Sequence, residues 1–396
     1  MVGAGLVLER VQFWRVFVDI PQLFIMVPAL IGLKGNLEMT LASRLSTHAN
    51  LGHLDTVSQT LEMGGANLAL IQLQGVVVGG LAAGIAVLMS YLTSHSIMEF
   101  SSLLVMLCSS VITASLASLS LGIVMIIVIA VSRRFGVNPD NVATPVAAAL
   151  GDLVTLALLS LVSSLLRSAG YTPQLIILVL YIVIAVYCYR IADLNKDTRN
   201  ILREGWTPVL CAMLISSLGG TILNRVISRF PNIALFQPVI NGVAGNLVGI
   251  QASRISTELH KHSTLGTLPN EVSSCNLLNP LYTYHAGTCD KSRILTANSV
   301  AARVLLFLVL PGHLTFNLAI GLSQGFHIFS VSFLFLYMVA VLFQVCFLLY
   351  IVNILVHFLW RRAVDPDNAA IPYLTALGDL LGGALLAVVF ITLDLN

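Results

Sequence analysis

The 396-residue chain is 57% apolar and only 10% charged, with a formal net charge of +2 and a mean hydropathy of +0.92. Soluble domains carry about a quarter charged residues, so a water-soluble globule of ordinary size is excluded, and so weak and dispersed a charge excludes a nucleic-acid surface. The six Cys residues are scattered: Cys108, Cys188, Cys211 and Cys346 read as small hydrophobes in apolar runs, and Cys275 and Cys289 share one loop with His285 without a convincing zinc spacing.

In chain order, Met1–Leu8 is apolar but, at about 1.5 Å per residue, reaches roughly 12 Å, well short of a ~30 Å hydrocarbon core. No basic segment precedes it, so it does not read as a secretory signal. Ten predicted membrane helices follow, at Val18–Ser43, Leu68–Thr93, Leu103–Val131, Val142–Leu166, Pro173–Ile191, Trp206–Asn224, Leu235–Ile255, Ala301–Leu322, Ile328–Phe358 and Ile371–Leu393. The reading is an all-α membrane protein.

Internal repetition organises these helices. Pro28-x₃-Gly32-x₂-Gly35-Asn36 and the following Ser43-Arg44-x-Ser46-Thr47 recur as Pro238-x₃-Gly242-x₂-Gly245-Asn246 and Ser253-Arg254-x-Ser256-Thr257. Farther on, Asn138-Pro139-Asp140-Asn141 with Leu150-Gly151-Asp152-Leu153 recurs as Asp365-Pro366-Asp367-Asn368 with Leu377-Gly378-Asp379-Leu380. The two offsets, 210 and 227 positions, differ by an insertion in the polar segment Leu259–Ala297. The expected organisation is a first five-helix repeat over 1–166, a connecting helix and linker over 167–204 and a second repeat over 205–396. Leu8-Glu9-Arg10-Val11 resembles Leu223-Asn224-Arg225-Val226, so Met1–Leu8 matches only the end of its counterpart helix and the first helix of the first repeat reads as incomplete.

With an intact N-terminus in the cytoplasm, fourteen of the Lys and Arg residues fall in cytoplasmic loops, five in outer loops and Lys34 inside a span, as the positive-inside rule requires. The C-terminus is then extracellular. A connecting span gives both halves the same orientation, making them parallel repeats about an axis along the membrane normal.

Asp152 and Asp379 each follow a Pro-Asp-Asn helix start by 12 residues, about 18 Å of rise, which puts both near the midplane. Intramembrane acids are costly and mark ion sites or proton relays. Parallel repeats bring the two together, where a cation relieves their repulsion. Carboxylates with carbonyls and water suit a hard divalent ion, and a pair of acids with the Ala148 and Thr375 carbonyls suffices for Mg²⁺, which keeps most of its waters. The structural alternative has each acid bonded to a neighbouring hydroxyl such as Thr155. Gly35, Asn36, Gly245 and Asn246 are pore-lining candidates that also suit plain helix packing. Lys34 and Glu38, at i,i+4, correspond to Ala244 and Val248 and read as a structural pair, with Glu38 as an ion ligand the second option. Gln251 is polar in the second half alone. Asp140, Asn141, Asp367 and Asn368 sit at a cytoplasmic mouth, where N-capping explains them.

With these duplicated motifs on the page, the chain resembles the MgtE-type magnesium transporters and, through PALIGLKGNLEMTLASRLST at Pro28–Thr47, the eukaryotic solute carrier family 41. The resemblance implies two fused five-helix units with a magnesium pore between them, Asp152 and Asp379 on the ion, Mg²⁺ as cargo, Na⁺ as the candidate coupling ion, and a plasma-membrane location. Such a pore needs lipid but no oligomer. The bacterial cytoplasmic sensing domains have no counterpart here. Two alternatives differ in class. Intramembrane aspartyl proteases also use two membrane acids, but Ala149 and Ala376 stand where their GxGD motif needs Gly; a transport-inactive regulatory isoform is the other.

Overall fold

The computed structural model describes residues 2–11, 14–20, 22–54, 56–94, 99–227, 229–230, 232–269, 277–285, 293–325 and 329–393. Among them the regular elements are helices: α1 (Val2–Val11), α2 (Arg15–Asp19), α3 (Gln22–Asn50), α4 (Val57–Ser94), α5 (Phe100–Arg134), α6 (Ala143–Ser168), α7 (Tyr171–Leu194), α8 (Lys196–Glu204), α9 (Trp206–Ile227), α10 (Ile233–His262), α11 (Pro280–His285), α12 (Arg293–Gln324), α13 (Val331–Arg361) and α14 (Pro366–Leu393). By length and composition, α4, α5, α6, α7, α12, α13 and α14 can each cross a membrane, so the protein is a multi-pass helical membrane protein. The long helices α3, α9 and α10 complete the ten expected from sequence. Inside α3 and α10 fall Lys34, Asn36, Glu38, Asn241, Asn246 and Gln251, a polarity that suits helices facing protein rather than lipid.

The first expected span, Val18–Ser43, is divided. Asp19 ends α2, Ile20 leaves the helical region (φ −126°, ψ 76°), and α3 starts at Gln22. Ile20 precedes Pro21, and the residue before a proline is driven out of the α conformation by the ring. At its C-terminal end α10 runs on to His262, beyond the expected Ile255. The loop containing Cys275 and Cys289 lies outside the described residues.

In the first half α3, α4, α5 and α6 pack on one another, with α7 outside α4 and α5; in the second, α14 is central, packed by α9, α10 and α13, with α12 against α10 and α13. The α4–α5 seam is tight. A Cβ on Gly79 would lie 2.9 Å from the Val111 Cα, Ser110 Oγ donates to the Gly79 carbonyl (2.6 Å), and Ser115 Oγ donates to Gln72 Oε1 (2.6 Å). Small residues and satisfied polar groups hold helices together where lipid supplies no hydrophobic drive. Outward, α7 exposes Leu175, Ile176, Val179 and Val183, as a lipid-facing helix does.

Between the halves the packing is crossed. Helix α3 lies against α14 and α9, and α10 lies against α6 and α3. Both turns that precede the mouth share one geometry. Gly136 (φ 68°) and Ala363 (φ 57°) are left-handed, and Val137 N–H and Val364 N–H reach back to the Ser132 and Leu359 carbonyls at 2.9 and 3.0 Å, a Schellman closure of α5 and α13.

Candidate ion pathway and inter-repeat latch

Asp379 is half-buried on α14 where three helices converge. Ser216 of α9 donates to its Oδ2 at 3.2 Å. A Cβ added to Gly32 of α3 would stand 3.7 Å from that oxygen, and one on Gly219 of α9 3.3 Å from the Asp379 carbonyl. The glycines let α3 and α9 close on the acid. Asp152, half-buried on α6, lies within electrostatic range of Asp379. The carboxylate of Glu38, fully buried on α3, lies beside the same turn of α6: a Cβ on Gly151 would come within 2.6 Å of Glu38 Oε2. Packing thus brings a third acid to the turn that carries Asp152; the Lys34 side chain lies outside the described residues.

The other candidate ligands are arranged as follows. Ala148 and Thr375 are interior to α6 and α14, where each carbonyl accepts the N–H four residues on, that of Asp152 or Asp379, and keeps its second lone pair for water or an ion. Thr375 Oγ1 donates to the Ile371 carbonyl (2.9 Å), and its Cγ2 would lie 3.6 Å from a Cβ on Gly245, so the GN motif of α10 does face the acid-bearing helix. Asn246 Oδ1 is buried without a hydrogen-bond partner among the described residues. Gly35 and Asn36 are in α3, with nothing described of the Asn36 side chain. Gln251 turns elsewhere, donating to the Asn298 carbonyl of α12 at 3.1 Å.

Twelve residues before each acid, the structure departs from the capping expectation. The N-cap of the first turn is Asn138, which accepts from the Asp140 N–H (3.0 Å), and Asp365 accepts from the Asp367 N–H (3.0 Å) in the second. Capping therefore belongs two positions upstream, which leaves the Asp140 and Asp367 carboxylates to reach across. Ser43 of α3 donates to Asp367 Oδ1 (2.8 Å) and Arg44 to Asn368 Oδ1 (3.2 Å); reciprocally, Ser253 of α10 donates to Asp140 Oδ1 (2.7 Å) and Arg254 to Asn141 Oδ1 (2.9 Å). Each half's Ser-Arg motif grips the other half's Asp-Asn motif. Between them Thr47 Oγ1 and Thr257 Oγ1 meet at 3.2 Å, and Thr257 also donates to Asp140 Oδ2 (3.0 Å). Asp140 and Asp367 are 0% and 2% exposed. Burial pushes the Asp140 carboxyl up from its ordinary value, against the downward pull of the Ser253 and Thr257 hydrogen bonds and of the Arg254 and Lys261 charges. The recurring Ser-Arg spacing was visible in the sequence, but its partners lie 324 and 113 positions away.

Comparison with known proteins follows the same division of the chain. The MgtE family, described as a divalent cation transporter, matches residues 27–162 and again 237–389. Solute carrier family 41 member 3 of Rattus norvegicus is 48% identical over 99% of this chain and 84% of its own length. Solute carrier family 41 member 2 is 47% identical in Gallus gallus and in Homo sapiens, over 98% of this chain and 67% of either relative. No solved structure matches.

Proposed function

Because this chain belongs to the MgtE divalent cation transporter family, in the branch of solute carrier family 41, we propose that it moves Mg²⁺ between its two halves, with Asp152 and Asp379 on the ion and the Ser-Asp latch closing the cytoplasmic end. Family membership makes it a transporter of divalent cations rather than an enzyme, which removes the protease alternative. The observation that carries the finer reading is the self-pairing of Thr47 with Thr257. Residues related by duplication touch each other only where a two-fold axis passes, and Asp152 and Asp379, also related by duplication, lie within electrostatic range of each other, which supports this reading. An axis through both pairs is the natural path for an ion that both halves share.

The proposed chemistry follows from that axis. Asp152 and Asp379 offer two negative charges about 18 Å of helix rise from the latch, with Glu38 close by and the Asn246 amide oxygen able to receive a hydrated ion's water. Mg²⁺ binds few protein oxygens directly and sheds water reluctantly, so two carboxylates, with carbonyls and amides contacting its waters, match its demand better than that of Ca²⁺. The reciprocal hydrogen bonds would hold the cytoplasmic exit shut until the halves separate. We place the protein in the plasma membrane, with the latch on the cytoplasmic side and the C-terminus outside, and Na⁺ as the candidate coupling ion.

The test is Mg²⁺ flux in proteoliposomes with and without an opposing Na⁺ gradient. Asp152→Ala and Asp379→Ala should each abolish flux while leaving helicity intact, and flux that ignores the gradient removes sodium from the mechanism. Near-normal Mg²⁺ flux in the double Asp152→Ala, Asp379→Ala variant would sink the ion-site assignment.

A further inference from the structure

The latch is not symmetric, and the asymmetry concentrates metal-binding chemistry on one side. In the first half Asn50 donates to Asn138 Oδ1 (3.0 Å) and to Asp140 Oδ2 (2.8 Å). The positions that correspond by duplication are His260, Asp365 and Asp367. Where the first half has two amides around one acid, the second has an imidazole and two carboxylates. His260 Nε2 lies 3.3 Å from Asp365 Oδ1 and 3.9 Å from Asp367 Oδ2, and the three ligand atoms all fall within 4.8 Å of one another. Ligands at 2.0–2.1 Å on a tetrahedral ion are roughly 3.4 Å apart, so the His260–Asp365 pair already has that spacing and side-chain adjustments on the order of 1 Å would close the set on one ion.

The surroundings fit an ion site. All three residues line a cavity of about 520 Å³ that also receives His48, His53 and Asp197, on the latch side of the helices, so an ion can enter without passing the midplane acids. The ligands are held. Trp360 packs edge-on to the His260 ring, centroids 4.7 Å apart; the Asp367 N–H donates to Asp365 Oδ1 (3.0 Å); Asn368 donates to Asp365 Oδ2 (3.2 Å); and Ser43 holds the far oxygen of Asp367 (2.8 Å). An imidazole with two carboxylates selects borderline transition metals such as Zn²⁺ or Co²⁺ over Mg²⁺, which prefers an all-oxygen shell.

We propose that His260, Asp365 and Asp367 form a second cation site in this chain, at the latch and distinct from the midplane acids, specific for a borderline divalent transition metal that enters from this cavity. The assignment does not depend on what the transport path carries, because it is read from binding rather than flux.

Full-length protein in detergent, stripped with chelator and held in millimolar Mg²⁺, is titrated with Co²⁺ and then Zn²⁺. One equivalent of Co²⁺ should give the visible absorption of a tetrahedral site and be displaced by Zn²⁺. The His260→Asn, Asp365→Asn variant, which copies Asn50 and Asn138, should lose that equivalent while keeping its thermal midpoint; His260→Gln alone serves if the double variant folds poorly. Conversely, Asn50→His with Asn138→Asp should raise the stoichiometry to two. Absence of the band in the unaltered chain, or its survival in the depleted variants, overturns the proposal, and a gain variant that stays at one overturns the equivalence on which it rests.

Discussion

Removing the two latch serines tests the gating mechanism most directly. Ser43 and Ser253 donate to buried carboxylates at 2.8 and 2.7 Å, and hydrogen bonds to charged groups contribute about 1.5–3 kcal/mol each. In a separated state water solvates Asp367 and Asp140 in the serines' place, so Ser43→Ala and Ser253→Ala weaken the closed state more than the open one. A shift of that size changes the ratio of open to closed roughly tenfold to a hundredfold. The single variants should act alike because their bonds are equivalent, and the double variant should give about the product of their effects if the halves part in one motion. The assay pairs initial Mg²⁺ flux in proteoliposomes with modification, from the cytoplasmic face, of a cysteine placed at Thr47, in a background without reactive native thiols. Unchanged accessibility and flux in a well-folded double variant would refute the latch; a large effect from one serine and none from the other would refute the equivalence of the halves.

Three further perturbations probe neighbouring steps. Gly151→Ala adds a Cβ 2.6 Å from Glu38 Oε2, whereas Gly378→Ala at the matching position meets only Leu348 Cδ1 at 3.6 Å; the first should displace Glu38 and cut Mg²⁺ flux severalfold, the second should be tolerated, and equal flux in both would remove Glu38 from the pathway. Ala363→Gly relieves a left-handed alanine at φ 57° and should stabilise the protein by about 1 kcal/mol, while Gly136→Ala should cost about as much, both read from thermal unfolding in detergent. Burial raises the Asp140 carboxyl above its ordinary 3.8, and a group raised in the folded state contributes stability that is full below its unfolded value and lost as pH rises through its folded one. Acidification through that window should therefore protect the Thr47 cysteine from modification, and Asp140→Asn should flatten the response.

Much of the fold was legible because apolar runs set helix number in a membrane protein and duplication repeats the motifs in register. The division at Ile20 follows from Pro21 and could have been read there. Other features depended on distant partners. The spacing of Asp140 and Asp367 behind a helix start suits an N-cap, and only the structure shows that Asn138 and Asp365 perform that role, freeing the later acids for bonds across the halves. The i,i+4 spacing of Lys34 and Glu38 suggests a local pair, on which the described residues do not bear, and a sequence has no means of revealing that Gly151 opens a space beside the Glu38 carboxylate. Gln251 stands out in the sequence by its isolation among apolar neighbours, and its bond to the Asn298 carbonyl of α12 is a distant partner that no spacing reveals.

A fused pair of halves is free to diverge wherever a residue does not meet its own counterpart. At Thr47 and Thr257 the two side chains touch, so a change in one alters the surroundings of the other, and the same holds for Asp152 and Asp379 if they share an ion. Away from the axis the constraint lapses: Glu38 corresponds to Val248, Leu41 to Gln251, and Asn50 to His260. These departures lie on α3 and α10, the two helices that cross between the halves. A symmetric dimer could not place one acid beside one midplane carboxylate, or an imidazole beside one latch acid, without duplicating both. Fusion permits a single extra carboxylate near Asp152 and a single nitrogen ligand near Asp367. On this reasoning, restoring symmetry by Glu38→Val or His260→Asn should change how the ion is held or how the latch responds, while leaving the two-fold scaffold itself intact.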